Sequence, residues 1–124
     1  LKGDATSRAA AIDQIGRQGR DFKNISLAGV DLSGQDLRGA DLRGVDLSGS
    51  NLSRARLWGA MLEGASLGGA NLAGADLLQT DLSEALHVES ARCSPETLLS
   101  KPWHCITAGS EGGRLSMVEL PPAR

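Results

Sequence analysis

The sequence predicts an all-β repeat fold, a solenoid whose chain turns a corner every five residues. Three observations support this: an apolar residue recurs at every fifth position from residue 22 to 82, glycine is frequent at 16 residues, and only 2% of the 124 residues are aromatic. A period of five fits neither the helical period of about 3.6 nor the strand period of about 2. Few aromatic side chains indicate a core of small, equivalent positions.

The predicted core is a ladder of thirteen apolar residues at this period. Its members are Phe22, Leu27, Leu32, Leu37, Leu42, Leu47, Leu52, Leu57, Leu62, Leu67, Leu72, Leu77 and Leu82. A small or short apolar residue stands two positions before most of them, and a glycine stands two positions after most. We expect these two apolar residues to point inward and the glycine to permit the corner. The Asp or Asn that usually precedes the leucine is expected to face solvent.

The units "ADLRG", "VDLSG" and "ANLAG" resemble those of the pentapeptide-repeat family, whose unit is A(D/N)LXX. The resemblance covers about residues 20–84. It implies a right-handed quadrilateral β-helix with one pentapeptide on each side and four in each coil. Residues 20–86 would then form about three coils, stacked at the strand spacing of about 4.8 Å.

Both ends of such a stack are expected to need caps. Residues 1–19 are predicted to form an N-terminal capping helix, because Ala9, Ile12 and Ile15 share one helical face. Residues 87–124 are predicted to form a C-terminal cap with a short helix at 94–99, started by Ser94 and Pro95, and a hairpin at 103–120. The hairpin loosely resembles a strand pair of a tryptophan–aspartate-repeat propeller blade. The chain could therefore be a fragment of a longer protein.

The two cysteines, Cys93 and Cys105, lie outside the repeat. No signal-peptide pattern occupies residues 1–20, so we predict reduced thiols and a cytoplasmic location. Together with His87 and His104 they have the residue types of a zinc site, but their spacing does not suit one. We expect no metal and no cofactor.

No catalytic set stands out in the sequence. The abundant Asp and Asn residues follow the repeat period, so the repeat explains their spacing better than acid–base catalysis does. We therefore expect a protein that is not an enzyme. The near balance of charge, net −2, predicts no direct nucleic-acid binding, and no apolar run is long enough to cross a membrane.

Twenty-residue spacing should stack outward residues into columns. One predicted face carries the columns Asp36–Arg56–Asp76 and Arg38–Trp58–Leu78, and Met61 lies around the corner. An exposed cluster of Trp, Arg, Met and Leu is typical of an interaction site. The predicted protein-binding patch is Arg38, Arg56, Trp58, Met61 and Leu78. Two alternatives stay open: Arg38 stacks on Trp58, or the C-terminal segment covers the patch.

The function that fits best is a non-enzymatic scaffold module that binds another protein. A first alternative is a DNA mimic acting on DNA gyrase, as implied by the resemblance to quinolone-resistance members of the family. That role needs a coherent negative surface, whereas residues 20–84 hold nine acidic and six basic residues. A second alternative is a structural spacer in a larger protein. A homodimer through the C-terminal end is also compatible with the sequence.

Overall fold

The computed structural model describes residues 26–107 and 113–116, which form a four-sided β-helix with an antiparallel sheet at its C-terminal end. Parallel bridges join residues twenty apart, as in Asp31–Asn51–Asn71 and Asp36–Arg56–Asp76. Units of five at this spacing give four sides to each coil. The predicted capping helix of residues 1–19 and the first ladder residue, Phe22, lie outside the described residues.

Each corner is a β-turn that starts at a ladder leucine. At the first corner, the Val30 N–H donates to the Leu27 carbonyl oxygen at 3.2 Å, and Gly29 between them has φ +71°. A positive φ at the third residue is the requirement of a type II turn, which glycine meets without steric cost. Glycine favours most of the corners in this way, but it is not essential, because Arg54 and Gln79 take the same position with φ of 59° and 60°.

Backbone hydrogen bonds join the coils in both directions. The Leu32 N–H donates to the Asn51 carbonyl oxygen at 2.8 Å, and the Asn51 N–H donates back to the Val30 carbonyl oxygen at 2.9 Å. This exchange repeats down the stack, so the peptide groups on each side find their partners in the neighbouring coils. Side chains alternate between the interior and the surface along each side.

The ladder leucines fill the interior of the stack. The exposed fraction is at most 2% for each ladder member from Leu27 to Leu82. The small residues two positions earlier complete the core, with Val30, Ala40, Ala55 and Ala70 each at most 1% exposed. The core is therefore a column of nearly identical layers.

The regular strands are short, because each side of the square holds few residues before the next corner. They are β1 (Asp76–Leu77), β2 (Arg92–Cys93), β3 (Leu98–Leu99), β4 (His104–Thr107) and β5 (Gly113–Ser116). A 3-10 helix, η1, spans Val88–Ser90. β1 pairs with β3 in parallel, and β5 lies between β2 and β4 in an antiparallel sheet.

The coil stacking continues past residue 86, where we expected it to end. Leu86 lies under Ser66, Arg92 under Asn71 and Leu98 under Asp76, so the spacing grows from twenty to twenty-one and then twenty-two residues. η1 accommodates the first additional residue. This irregular fourth coil places Cys93 beneath Leu72 and Leu99 beneath Leu77.

The short helix predicted at 94–99 is wrong. A turn closed by the Thr97 N–H and the Ser94 carbonyl oxygen at 3.0 Å leads directly into β3. The buried Thr97 Oγ1 also donates to the Leu72 carbonyl oxygen at 2.8 Å. The open backbone edge of the third coil offers these partners, so extended pairing prevails over a local helix signal. The strand pairing of the predicted hairpin is present as β4 and β5, while its turn at 108–112 and its end at 117–120 lie outside the described residues.

The prediction of two reduced thiols is also wrong, because Cys93 and Cys105 form a disulfide with a Cα–Cα distance of 5.9 Å. Cys93 occupies a core position in the fourth coil, and the hairpin brings Cys105 beneath it. Trp103 and Leu115, at 9% and 6% exposure, close the same end of the core. The thiol argument for a cytoplasmic location therefore no longer applies.

Within the described ranges, no helix has the length and apolar character needed to cross a membrane.

Candidate functional site

The predicted columns around Trp58 form one side of the stack. The bridges Asp36–Arg56 and Arg56–Asp76 hold the backbone of this side in register. We call it the Trp58 face and define it by its outward residues, which are Asp36, Arg38, Arg56, Trp58, Asp76, Leu78 and Leu98. Trp58 is 49% exposed and Leu78 is 38% exposed.

Leu98 extends this apolar surface into the fourth coil, although the twenty-residue columns of the sequence do not place it there. β3 pairs with β1 so that Leu98 lies beside outward Asp76 and Leu99 lies beside inward Leu77. Leu98 is accordingly 47% exposed, whereas Leu99 packs against the core. The segment "TLL" at 97–99 matches the small–outward–leucine order of the repeat, but the two additional residues before it hide the match at a fixed period.

Met61 lies on the neighbouring side, where it bridges to Asp41 in the coil above. Its exposed fraction is 37%. It therefore borders the Trp58 face around one corner, as the predicted columns require.

The only other large apolar side chain exposed in the described part is Leu86, at 49%. It lies under Ser66, two sides away from the Trp58 face and hence on the opposite side of the stack. Among the described residues, three large exposed apolar side chains are therefore grouped on the Trp58 face, whereas one, Leu86, lies on the opposite side.

A bidentate ion pair borders Trp58. Arg38 Nε and Nη2 donate to the two carboxylate oxygens of Asp36, each at 2.8 Å. This hydrogen bonding raises the pKa of the Arg38 guanidinium above its ordinary value. Asp36, Arg38, Gly39 and Trp58 line a shallow surface depression.

Arg56 stands between Asp36 and Asp76 in its column. Its guanidinium makes no hydrogen bond or ion pair within the described part of the chain. The border of the apolar surface therefore contains one ion pair, Asp36–Arg38, and one cation, Arg56, that is unpaired among the described residues.

The Asp or Asn that precedes many of the leucines has a structural role that the repeat pattern did not predict. Asp31 Oδ1 accepts the Ser33 N–H at 3.0 Å and the Ser33 hydroxyl at 2.7 Å. Asn51 Oδ1 accepts the same two bonds from Ser53 at the same distances. The side-chain and then the backbone bond lower the pKa of the Asp31 carboxyl. These carboxylates act as turn acceptors, which an amide can replace.

The described residues hold no group of three or more His, Cys, Asp and Glu side chains that could bind a metal ion. Cys93 and Cys105 are bonded to each other. The exposed His87 lies 3.8 Å from a carboxylate oxygen of Glu89.

Comparison with known proteins agrees with this geometry. The family model described as pentapeptide repeats matches in eight copies over residues 21–54 and 50–86, which together exceed half of the chain. The chain belongs to the pentapeptide repeat family. The resemblance of its units is thereby confirmed, and with it the quadrilateral β-helix that this family implies.

Three solved structures of pentapeptide repeat proteins are similar to this chain. A protein from the Arabidopsis thaliana thylakoid lumen is 26% identical, with a TM-score of 0.51, over 67% of this chain and 60% of that one. Rfr23 from the cyanobacterium Cyanothece 51142 is 34% identical, with a TM-score of 0.42, over 64% and 54%. A protein from Nostoc PCC 7120 is 32% identical, with a TM-score of 0.32, over 73% and 83%.

The chain thus spans less than two thirds of the length of the first two proteins. A comparison with curated proteins gives no match.

Proposed function

We propose that this pentapeptide repeat protein is a non-enzymatic scaffold module that binds a protein partner through the Trp58 face. The observation that carries the proposal is the grouping of Trp58, Leu78 and Leu98 on one side, at 49%, 38% and 47% exposure. Large apolar side chains grouped on a rigid surface mark interaction sites in soluble proteins.

Trp58 supplies the largest share of the available binding energy. A tryptophan exposes up to about 250 Å² of surface, so burying the exposed half contributes about 3 kcal/mol at ~25 cal/mol per Å². Tryptophan and arginine are also the residue types most enriched where truncation costs the most affinity. We therefore place Trp58 at the energetic centre of the interface.

The shape of the apolar surface suits a narrow ligand. It extends over three coils, a height of about 10 Å at the strand spacing. Arg56 and Asp76 stand beside it with opposite charges, while Asp36 is paired with Arg38. One helix or strand with an apolar edge and complementary charges fits such a surface, and the Arg56–Asp76 pair of opposite charges favours one register over others.

The charge pattern disfavours the DNA-mimic alternative. Asp36 is neutralised by Arg38, and Asp41 by Arg43, in bidentate pairs with N–O distances of 2.8 Å. A DNA mimic needs uninterrupted acidic columns, and these pairs interrupt two of them. The exposed apolar side chains of the Trp58 face would also have no role in imitating a phosphate backbone.

The test compares two substitutions of equal exposure on opposite sides. Trp58→Glu and Leu86→Glu each place a carboxylate where a side chain is 49% exposed. The immobilised domain and both variants are incubated with extract of the source organism, and bound proteins are quantified by mass spectrometry. A candidate partner is then purified and titrated calorimetrically. Circular dichroism of each variant checks that the β-helix is retained.

We expect the partner to bind the original chain and Leu86→Glu but to lose about tenfold or more in affinity for Trp58→Glu. Equal binding by both variants would exclude the Trp58 face. Capture of gyrase subunits regardless of Trp58 would favour the DNA mimic. An absence of any specific partner would favour the structural spacer.

A further inference from the structure

We propose that Arg92 and Arg114 form a second docking site, which binds carboxylates of an acidic segment of a protein partner. This site lies around one corner from the Trp58 face, at the junction between the fourth coil and the C-terminal sheet.

The two arginines face each other directly across two strands. Arg92 in β2 pairs with Arg114 in β5, and both side chains are exposed. Their strand neighbours Cys93, Gly113 and Leu115 are buried, so both guanidinium groups point away from the core. Cross-strand partners have Cβ atoms about 5 Å apart, which lets both groups reach one ligand.

Neither guanidinium has a partner in the described part of the chain. Arg38 and Arg43, by contrast, fold back onto the carboxylate two residues earlier. Arg92 lies under Asn71 in the column of turn acceptors, which places a cation where the coils above have Asp or Asn. The carboxylate of Glu89, in η1 beside β5, lies 3.8 Å from His87 and, within the described ranges, makes no ion pair with either arginine.

Like charges directly opposite each other destabilise an antiparallel pair. An anion bound between them would remove this repulsion. Arginine is suited to that role because its planar fork donates two parallel hydrogen bonds to one carboxylate.

The disulfide holds the two arginines in place. Cys93, the residue after Arg92, is bonded to Cys105 in β4, and β5 with Arg114 lies between these two strands. The backbone positions of the two arginines are therefore set before a ligand arrives, which lowers the entropic cost of binding.

An acidic protein segment fits this site better than a nucleic acid. A polyanion is bound by a broad basic surface, whereas this site offers two open cations on a chain of net charge −2. Carboxylates on alternate residues of a strand, or one turn apart on a helix, lie about 5–7 Å apart. This spacing is comparable with the ~5 Å between the Cβ atoms of cross-strand partners such as Arg92 and Arg114.

The probe is a fluorescein-labelled hexaglutamate peptide, and binding is measured by fluorescence anisotropy at about 20 mM salt, where screening is weak. The variants are Arg92→Ala and Arg114→Ala. Arg54→Ala is the matched control, because Arg54 is exposed and likewise without a partner among the described residues. A Cys93→Ser/Cys105→Ser double variant tests whether the disulfide positions the two arginines. Trp58→Glu separates this site from the Trp58 face.

We expect Arg92→Ala and Arg114→Ala each to weaken binding about tenfold, and Arg54→Ala less than about twofold. The double serine variant should bind more weakly although both arginines remain, and Trp58→Glu should bind normally. Three results would each overturn the proposal: no binding by the original chain, an equal loss with Arg54→Ala, or tighter binding of a six-nucleotide single-stranded DNA than of hexaglutamate.

Discussion

At the scale of single residues, the Asp or Asn that precedes many of the leucines connects sequence to turn geometry. Asp31 and Asn51 differ in charge, yet both accept a backbone and a hydroxyl hydrogen bond from the serine two residues later. The requirement is an acceptor oxygen on a short side chain, which explains why Asp and Asn alternate freely along the repeat. The two residues differ in how they respond to pH.

The hydrogen bonds at Asp31, Asp46 and Asp81 predict a specific acid dependence. Bonds from the Ser33 side chain and backbone lower the pKa of Asp31, and Ser48 and Ser83 act in the same direction on the pKa of Asp46 and Asp81. A folded pKa below the unfolded one stabilises the protein above the ordinary value of 3.8, and this contribution is lost as the pH falls through the folded pKa.

The variant Asp31→Asn/Asp46→Asn/Asp81→Asn keeps the acceptors but cannot titrate. We expect its urea midpoint to fall less steeply than that of the original chain between about pH 4 and pH 2. Identical slopes would contradict this role. The corresponding triple alanine variant, which removes the acceptors, should be less stable at neutral pH as well.

Two inward hydroxyl groups provide a second test at the residue scale. Ser50 is 1% exposed, and its Oγ makes no hydrogen bond among the described residues, whereas the Oγ1 of Thr80, at 2% exposure, donates to the Leu57 carbonyl oxygen. Ser50→Ala should raise the free energy of unfolding by about 1 kcal/mol, and Thr80→Val should lower it by about 1 kcal/mol. Urea denaturation measures both. Shifts of the same sign would show that hydrogen bonding does not govern these positions.

At the scale of elements, the C-terminal sheet is held by a disulfide that connects its two outer strands. β2 and β4 lie on either side of β5, so in a flat sheet they would be about 10 Å apart. The Cα atoms of Cys93 and Cys105 are only 5.9 Å apart, so the sheet curls around β5. The sulfur atoms pass over β5 at Gly113, where a side chain would collide with Cys105 Sγ.

Comparing Gly113→Ala with Gly59→Ala tests this arrangement, because a Cβ at Gly59 would meet no other atom within 4 Å. A Cβ at Gly113 would also lie 2.8 Å from Thr107 Cγ2 and 3.0 Å from the Ile106 carbonyl oxygen. We expect a loss of about 3 kcal/mol in the free energy of unfolding, typical of forced overpacking. Gly59→Ala should lose only about 1 kcal/mol, because its φ of +73° is unfavourable but nothing lies within 4 Å.

Urea denaturation with and without reductant measures both glycine variants. Reduction frees the Cys105 sulfur to rotate away, so it should shrink the Gly113→Ala penalty and leave the Gly59→Ala penalty unchanged. Equal penalties for the two variants under oxidising conditions would contradict the role assigned to Gly113.

At the scale of the whole molecule, the stack is a one-dimensional array whose coils contact mainly their neighbours. That property made the first three coils predictable, because one unit repeated at a fixed spacing places every residue. Trp58 and Leu78 lie on the face where the twenty-residue columns put them. The fourth coil was not predictable in this way, because its residues lie twenty-one and twenty-two positions after those they stack beneath, not twenty.

The open edge of the third coil decides what the following segment becomes. Its unpaired N–H and carbonyl groups form hydrogen bonds with the segment that lies beneath it, whatever secondary structure the local sequence of that segment favours. For this reason "SPETLL" became a turn and a strand rather than a helix, and Cys93 took a leucine position. Helix-start signals at Ser94 and Pro95 contribute less than the pairing with β1.

The sequence by itself determined the corner positions, the inward and outward sides and the column that contains Trp58. Each of these depends on contacts within one unit, and the period repeats them. Only the tertiary structure decided the fourth coil, the disulfide, the addition of Leu98 to the Trp58 face and the meeting of Arg92 with Arg114. These depend on which backbone edge is open and which strands meet there, and contacts between distant segments leave no period in the sequence.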